Sequence, residues 1–524
     1  MDGSLVEIRS LRKEAREIIM DVPCHNITPR VLPHYHKWIP QYGETFFYWF
    51  GLQPRICITN PDMVKQVLSN KFGFYTKDKP RPAIAALLGK GLVLTNGTDW
   101  VRHRRVVSPA FTMDKLKVMT KRMGSCALSM LDSWQDLVMR SAKCEYLPTK
   151  WNRHKWEVER KATSTLRRII QARLDSKESG YGNDLLGLMM ESSTNTRGGL
   201  ALSMDEIISE CKTFFFVGHE TTANLLTWAM FLLGSNQDWQ ERLREEVLRE
   251  CGTEAPNADA LSKLKLVTMV LLEALRLYCP VIMMTRRTSM DMKLGEITVP
   301  KDVLVTIPLI VIHRSEKYWG ADACEFNPYR FADGIAKAGN HPNALMAFSM
   351  GPRVCVGQNF AMMEAKTVLV MILQRFSFSL SPQYKHAPVD MLTLHPQFGM
   401  PVTVVVMTLV IVLLLLLWNF FAVLLWRPYQ LTKFFNRQGI RGPRYAFMGG
   451  SLVEIKNLKK AASQTTMDAK CHNITPRILP HYHKWIPQYG ETFLYWFGLQ
   501  PRICITDLEM VKQVLSNKFG FFTK

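Results

Sequence analysis

Residues 348–357 read F-S-M-G-P-R-V-C-V-G, and this stretch decides the reading of the chain. Phe348, Gly351, Arg353, Cys355 and Gly357 form the pattern F-x-x-G-x-R-x-C-x-G. At average residue frequencies, five such fixed positions match by chance in a chain of this length on the order of 10⁻⁴ times. An apolar helical run, NFAMMEAKTVLVMILQRF, follows directly. A cysteine at the start of a helix lies near the positive end of the helix dipole, which favours the thiolate. Glycines on both sides let the backbone come close to a bound group.

Three further constellations accompany it. V-G-H-E-T-T, residues 217–222, interrupts the apolar run FFFVGHETTANLLTWAMFLL with a glycine, a glutamate and two threonines. Packing alone would fill those positions with leucine; the bland alternative is a helix bent at Gly218 with threonine hydroxyls bonded back to carbonyls. Glu273 and Arg276 (E-A-L-R) share a helix face through i, i+3 spacing, as many surface ion pairs do. Trp100 and Arg104 stand in W-V-R-H-R.

Taken together, these motifs resemble the cytochrome P450 family. FFFVGHETTANLLTW, LLEALRLYCPV and LPTKWNRH are similar to plant members of the group containing cytokinin hydroxylase and secologanin synthase. The resemblance implies a mainly α (α+β) haem-thiolate fold with haem b as cofactor. Cys355 would be the iron ligand, its thiolate pushing electron density onto the metal. Trp100, Arg104, Arg353 and Arg287 would face the haem propionates, and Phe348, Gly351 and Gly357 would shape the loop. Glu220 and Thr221 would deliver protons to O₂ on the distal side. Glu273, Arg276 and Arg330 of N-P-Y-R-F would form a structural triad supporting the cysteine loop. The family usually has an acid where this chain has Tyr329. The implied reaction hydroxylates a lipophilic small molecule with O₂ and electrons from NADPH-cytochrome P450 reductase, at the endoplasmic reticulum membrane with the haem domain cytosolic. An O₂-independent haem-thiolate isomerase or dehydratase is the alternative chemistry; Glu220-Thr221 argues against it, and NADPH dependence discriminates.

Composition agrees with a globular intracellular chain. The 524 residues are 47% hydrophobic and 21% charged, and the 11 cysteines are scattered rather than arranged as a disulfide framework. A net charge of +21 calls for an acidic partner, an anionic membrane or nucleic acid. Nucleic acid is unsupported, because no recognisable binding module accompanies the charge. Arg102, Arg104, Arg105, Lys115, Lys117, Lys121 and Arg122 stand against one acid, Asp114. They form either a solvated face or a docking surface for the acidic flavin domain of the reductase.

Organisation along the chain is unusual. Residues 4–77 recur without gaps as 451–524, with about 58 of 74 positions identical. CHNITPR, at 24–30 and 471–477, marks the repeat. Its adjacent cysteine and histidine have no second ligand pair nearby, and Asn26-Ile27-Thr28 is a glycosylation sequon by letters only. Residues 401–426 carry no charge, long enough to span a bilayer, and Arg427, Lys433, Arg437, Arg441 and Arg444 follow with no acid until Glu454. The expected domains are therefore a haem domain over 1–402, a transmembrane anchor over 403–426, and the truncated start of a second P450 over 427–524. The basic flank draws the C-terminal part to the cytosol, which a haem domain ahead of the span cannot share; protease protection of each end in microsomes settles the orientation. The opening residues show no signal-peptide pattern.

One more departure concerns spacing. Trp100 and Glu220 are closer together than in relatives by several dozen residues, with a deletion near Cys144-Glu145-Tyr146. The missing piece would hold two helices, one in the core and one over the substrate pocket. Losing a core helix removes many kcal/mol from a stability of about 5–15 kcal/mol, so the chain is expected to be poorly folded or inactive, the product of a fused or mispredicted gene pair. Helices are expected over 114–137, 155–174, 203–233, 239–250 and 259–277, and strands over 46–50, 55–59 and 303–308.

Overall fold

The computed structural model describes residues 3–22, 24–71, 73–80, 82–140, 164–175, 181–182, 184–194, 201–406, 417–447, 449–464 and 475–516. The chain divides into two compact units, Met1–Val406 and Met407–Lys524.

The first unit is mainly helical. Its central element is the 32-residue helix Met204–Ser235, which starts on a capping box: Ser203 accepts from the Glu206 N–H, and the Glu206 carboxylate accepts from the Ser203 N–H. Its C-terminal half is enclosed by core, with Leu225, Trp228, Ala229, Phe231, Leu232 and Leu233 all buried. Its N-terminal half buries Thr213 and sets Ile207 and Ile208 in a separate core cluster, while Phe215 is 81% exposed in mid-helix. Helices Lys265–Leu277 and Gln358–Arg375 pack against it in one continuous core that also takes in Ile27, Tyr35 and Cys57.

A five-stranded sheet lies beside this helical core in the order Thr45–Phe50, Gln53–Ile58, Leu304–Ile307, Met284–Thr288, Tyr75–Thr76. The first two form a hairpin, Leu304–Ile307 joins in parallel, and the remaining pairs are antiparallel. The expected strands thus lie within a residue or two of those observed. The helix expected over 259–277 is two, Ala258–Lys263 and Lys265–Leu277. The break at Leu264 is held by the buried Glu246 carboxylate, which accepts from the N–H groups of Lys265, Leu266 and Val267 and so caps the second helix from a neighbouring one. Residues 155–163 of another expected helix lie outside the described residues; 164–175 are helical.

The expected anchor requires correction at its start. Val402–Val406 is a strand, antiparallel to Phe376–Leu380 with Val404 opposite Phe378. The β-branched run VTVVV suits a pleated surface better than a helix. The centre of the expected span, 407–416, lies outside the described residues. Among the described residues no helix is long and apolar enough to cross a membrane. Residues 417–437 are helical throughout, with a π-helical turn over Ala422–Trp426.

In the second unit, helices Leu452–Ser463 and Pro480–Tyr489 cover the hairpin Thr492–Phe497/Gln500–Ile505. Its small core is Ile455, Trp485, Phe493 and Tyr495. Thr492 faces Ile505 as Thr45 faces Ile58. Glu454 takes Lys484 at 2.9 Å where Glu7 takes Lys37 at 2.8 Å.

Candidate active site

The cysteine loop is a tight backbone device. Ser349 and Gly351 both adopt left-handed conformations, φ 62° and 70°. Gly351–Arg353 then make one 3-10 turn, and Gly357 caps the helix Gln358–Arg375. The Cys355 N–H donates to the Phe348 carbonyl at 2.9 Å, closing the loop on itself. The protein itself demands Gly351: a Cβ there would sit 2.5 Å from the Leu68 carbonyl oxygen and 2.6 Å from the Ser69 Cα. Gly351→Ala is therefore expected to destabilise the unit by about 2 kcal/mol or more, read as a lowered urea midpoint. Gly357 differs, since a Cβ there meets only the Phe111 ring at 3.8 Å. Packing permits a side chain at Gly357, so its glycine leaves open space beside Cys355.

The thiol of Cys355 has exposed surface, yet protein surrounds it closely enough that burial lifts its pKa above the ordinary thiol value. The Gly357 N–H and the Arg104 charge pull the other way without prevailing. The helix start alone does not make this cysteine a thiolate. A metal would, because coordination deprotonates a thiol outright.

Around the loop lies a cluster of cations. Arg104 donates to the Val354 carbonyl at 2.8 Å. Arg353 donates to the Thr95 carbonyl and to Asn96 Oδ1, both at 3.2 Å, with its guanidinium 4.5 Å over the Trp100 ring. Burial pushes Arg353 down to about 10. Arg286 also falls to about 10, through burial and repulsion from Arg353. Lys77, bonded to the Val93 carbonyl, is driven well below its usual value by burial and by both arginines. Among the described residues no carboxylate lies within ion-pair distance of Lys77, Arg104, Arg286 or Arg353. Buried charge of one sign calls for a counter-anion. The two carboxylates of a haem and a cysteine thiolate fit that requirement.

Arg287 does not join this cluster. It pairs with Asp78 at 2.7 Å and donates to the Asp302 carbonyl. Successive strand residues face opposite sides, so Arg286 turns inward and Arg287 outward. The structure thus places Arg286 and Lys77, rather than Arg287, in the cluster; neither Arg286 nor Lys77 carried a motif.

The supporting network is assembled. Arg276 makes two 2.7 Å bonds to Glu273, with both side chains fully buried. It also donates to the carbonyls of His313, Ala323 and Glu325. Arg330 stands 3.7 Å from Glu273, but its nearer acid is Asp322, at 2.5 Å. Asn327 N–H completes Glu273 at 3.0 Å. From here hydrogen bonds run to the cysteine loop: Met346 N–H donates to His313 Nε2, and Ser349 N–H to the Met346 carbonyl. Tyr329 packs on Trp239 and accepts from Arg242, outside the triad.

On the central helix, the Thr221 hydroxyl donates to the Val217 carbonyl at 2.8 Å, which leaves its lone pairs free to accept. Glu220 turns to the strand Leu394–Pro396: its Oε1 lies 2.5 Å from His395 Nε2 and accepts from the Thr393 hydroxyl at 3.0 Å. Asn224 bridges the Glu220 carbonyl and Thr393. Glu364, on the helix following Cys355, is raised by burial while bonded to Thr222. His395, Thr393 and Glu364 escaped sequence reasoning because they belong to no local pattern.

A family model described as Cytochrome P450 matches residues 30–145 and 138–403. Cytochrome P450 709B1 of Arabidopsis thaliana is 47% identical over 461 residues, taking in 76% of this chain and 89% of that one. Cytochrome P450 709B3 of the same plant is 44% identical over 458 residues, with 76% and 88% covered. Cytochrome P450 CYP72A616 of Paris polyphylla is 40% identical over 459 residues, with 76% and 89% covered.

Proposed function

The chain belongs to the cytochrome P450 family, the plant haem-dependent monooxygenases, and on that premise we propose that it hydroxylates a lipophilic small molecule with electrons passed from NADPH by cytochrome P450 reductase. The observation that carries the reading is Cys355 on its closed loop beside buried Arg286 and half-buried Lys77, Arg104 and Arg353, four cations with no counter-anion among the described residues. Haem supplies the activation of O₂, one atom entering the substrate and the other leaving as water. Cys355 Sγ would hold the iron, and the cations with Trp100 would hold the propionates. Glu220 and Thr221 would hold and pass protons from the central helix, Glu220 being positioned by Thr393 and His395.

Electron delivery is supported by charge at the surface. Arg105, Lys121 and Arg122 are exposed and available to an acidic partner, and Lys117 is exposed with Asp259 at 3.9 Å. Arg102 is not, because it is committed to Glu206.

Residues 407–524 are read as a membrane anchor followed by the opening of a neighbouring paralogue. The family match broken at 138–145 supports a deletion there, and Phe215 supports an apolar face left uncovered by it. Haem occupancy below one per chain is expected for the purified protein. Full-length transcript sequencing across 144–146 and 400–410 tests both junctions.

The test of the haem site is spectroscopic. The dithionite-reduced CO complex is expected to show the red-shifted Soret band of thiolate ligation, and Cys355→Ser to abolish it. A wild-type spectrum without that band removes Cys355 as ligand.

A further inference from the structure

Glu220 is tied to the strand Leu394–Pro396 through one oxygen. Its Oε1 meets His395 Nε2 at 2.5 Å and the Thr393 hydroxyl at 3.0 Å, with Asn224 Nδ2 at 3.4 Å. Among the described residues only His219 stands within ion-pair distance of Oε2, at 4.0 Å, and that side chain is 73% exposed. One carboxylate oxygen is engaged by the strand and the other is uncommitted.

The His395 ring is engaged just as unevenly. Its polar contacts among the described residues all run through Nε2, to Glu220, Thr393 and Asn224. Nδ1 makes none, and the side chain is 31% exposed against 20% for Glu220. Beside an ionised Glu220 the hydrogen of the neutral ring belongs on Nε2, which leaves Nδ1 a bare base open to water. Asp390, on the facing strand and raised by burial, also feels the charge of this ring.

The hairpin that carries His395 is fixed in place. Leu394 N–H donates to the Pro280 carbonyl at 3.0 Å, and the Leu394 carbonyl accepts from Trp228 Nε1 at 2.9 Å. Its turn holds Leu392 at φ 85°, a costly conformation for a leucine. Such a conformation persists where surrounding contacts over-determine it, and here it sets Thr393 and His395 against Glu220.

We infer that His395 is the relay through which protons from solvent reach Glu220. The inference rests on the monooxygenase reading, in which RH + O₂ + 2e⁻ + 2H⁺ gives ROH + H₂O and protons are drawn in at every turnover. Water protonates Nδ1, and the hydrogen on Nε2 passes to Glu220 Oε1. In sum, a hydronium ion and a carboxylate become water and a carboxylic acid. Exchange with water returns the ring to its Nε2–H form. His395 acts through Glu220 and is a positioning residue.

The test uses the full chain with haem, the reductase and an alkoxycoumarin as probe substrate. With NADPH and O₂, His395→Asn and His395→Gln are both expected to lower dealkylation roughly tenfold or more and to raise the solvent deuterium isotope effect. Glutamine keeps an amide donor near Glu220 but carries no titratable nitrogen, so it would rescue a merely structural role. With hydrogen peroxide in place of NADPH and O₂ the oxidant brings its own protons, and both variants are expected to match the wild type. A readout independent of turnover comes from histidine labelled with ¹³C at Cε1 in the purified full chain. The signal missing from His395→Asn is expected to shift in Glu220→Gln. Variants equal to the wild type under NADPH, a loss that glutamine repairs or that persists with peroxide, or a His395 signal indifferent to Glu220 overturns the inference. A wild type with no dealkylation in either mode and no red-shifted Soret band overturns instead the reading beneath it.

Discussion

Glu273→Ala is expected to lower the stability of the first unit by about 3–5 kcal/mol, because it leaves the guanidinium of Arg276 buried without its counter-charge. Both side chains have no exposed surface, so water cannot replace the lost carboxylate. The three carbonyls of His313, Ala323 and Glu325 continue to accept from Arg276, but they carry no net charge. Against a total of about 5–15 kcal/mol, such a loss is a large part of the fold. The Asn327 N–H, which Glu273 accepts at 3.0 Å, is released as well, loosening the segment that holds Arg330. Removing both partners, as Glu273→Leu with Arg276→Met, is expected to be less damaging than the single change because no charge is stranded. It is not expected to be neutral, since three buried carbonyls then lose their donor. Urea midpoints of the single and double variants measure both expectations. A single variant within about 1 kcal/mol of the wild type would show the pair to be dispensable.

Acid is expected to unfold the first unit well above the range where carboxylates usually dominate. His25 is lowered to about 4, by burial first and then by Arg314 and Arg276. Burial, aided by nearby cations, lowers His34, His313 and His386 to about 3. All four are neutral in the fold, with between 0% and 6% of their surface exposed. In the unfolded chain a histidine takes up its proton near pH 6.5. The sign follows from proton uptake: below that pH the unfolded state binds more protons than the folded one. Stability is therefore full above pH 6.5 and falls as the pH drops toward the folded values. Each histidine contributes a slope of about 1.4 kcal/mol per pH unit, so the four together approach 5 kcal/mol per unit between pH 6 and 4. His34→Asn is expected to lower that slope by about a quarter, His34 Nδ1 having no hydrogen-bond partner among the described residues. Stability that stays flat between pH 7 and 5 would count against the buried neutral state of these rings.

The lettering of the chain carries the cysteine loop, the Glu273–Arg276 pair, the amphipathic helices and the strands at 45–58 and 304–307. Each depends on neighbours within a few residues, where chain geometry leaves few choices. A bidentate i, i+3 pair, a glycine held at φ 70° and a helix beginning just after Cys355 are local facts. Tertiary structure decided the rest. Arg286 and Arg287 are adjacent and alike in letters, and only the phase of the strand sends one to the site and the other to Asp78. Lys77 reaches the cluster from more than two hundred residues before Arg286, and His395 meets Glu220 from the far side of the chain. The same six residues, QPRICI, bury Ile56 in one unit and expose Ile503 in the other, because a strand's burial is set by what the fold lays against it.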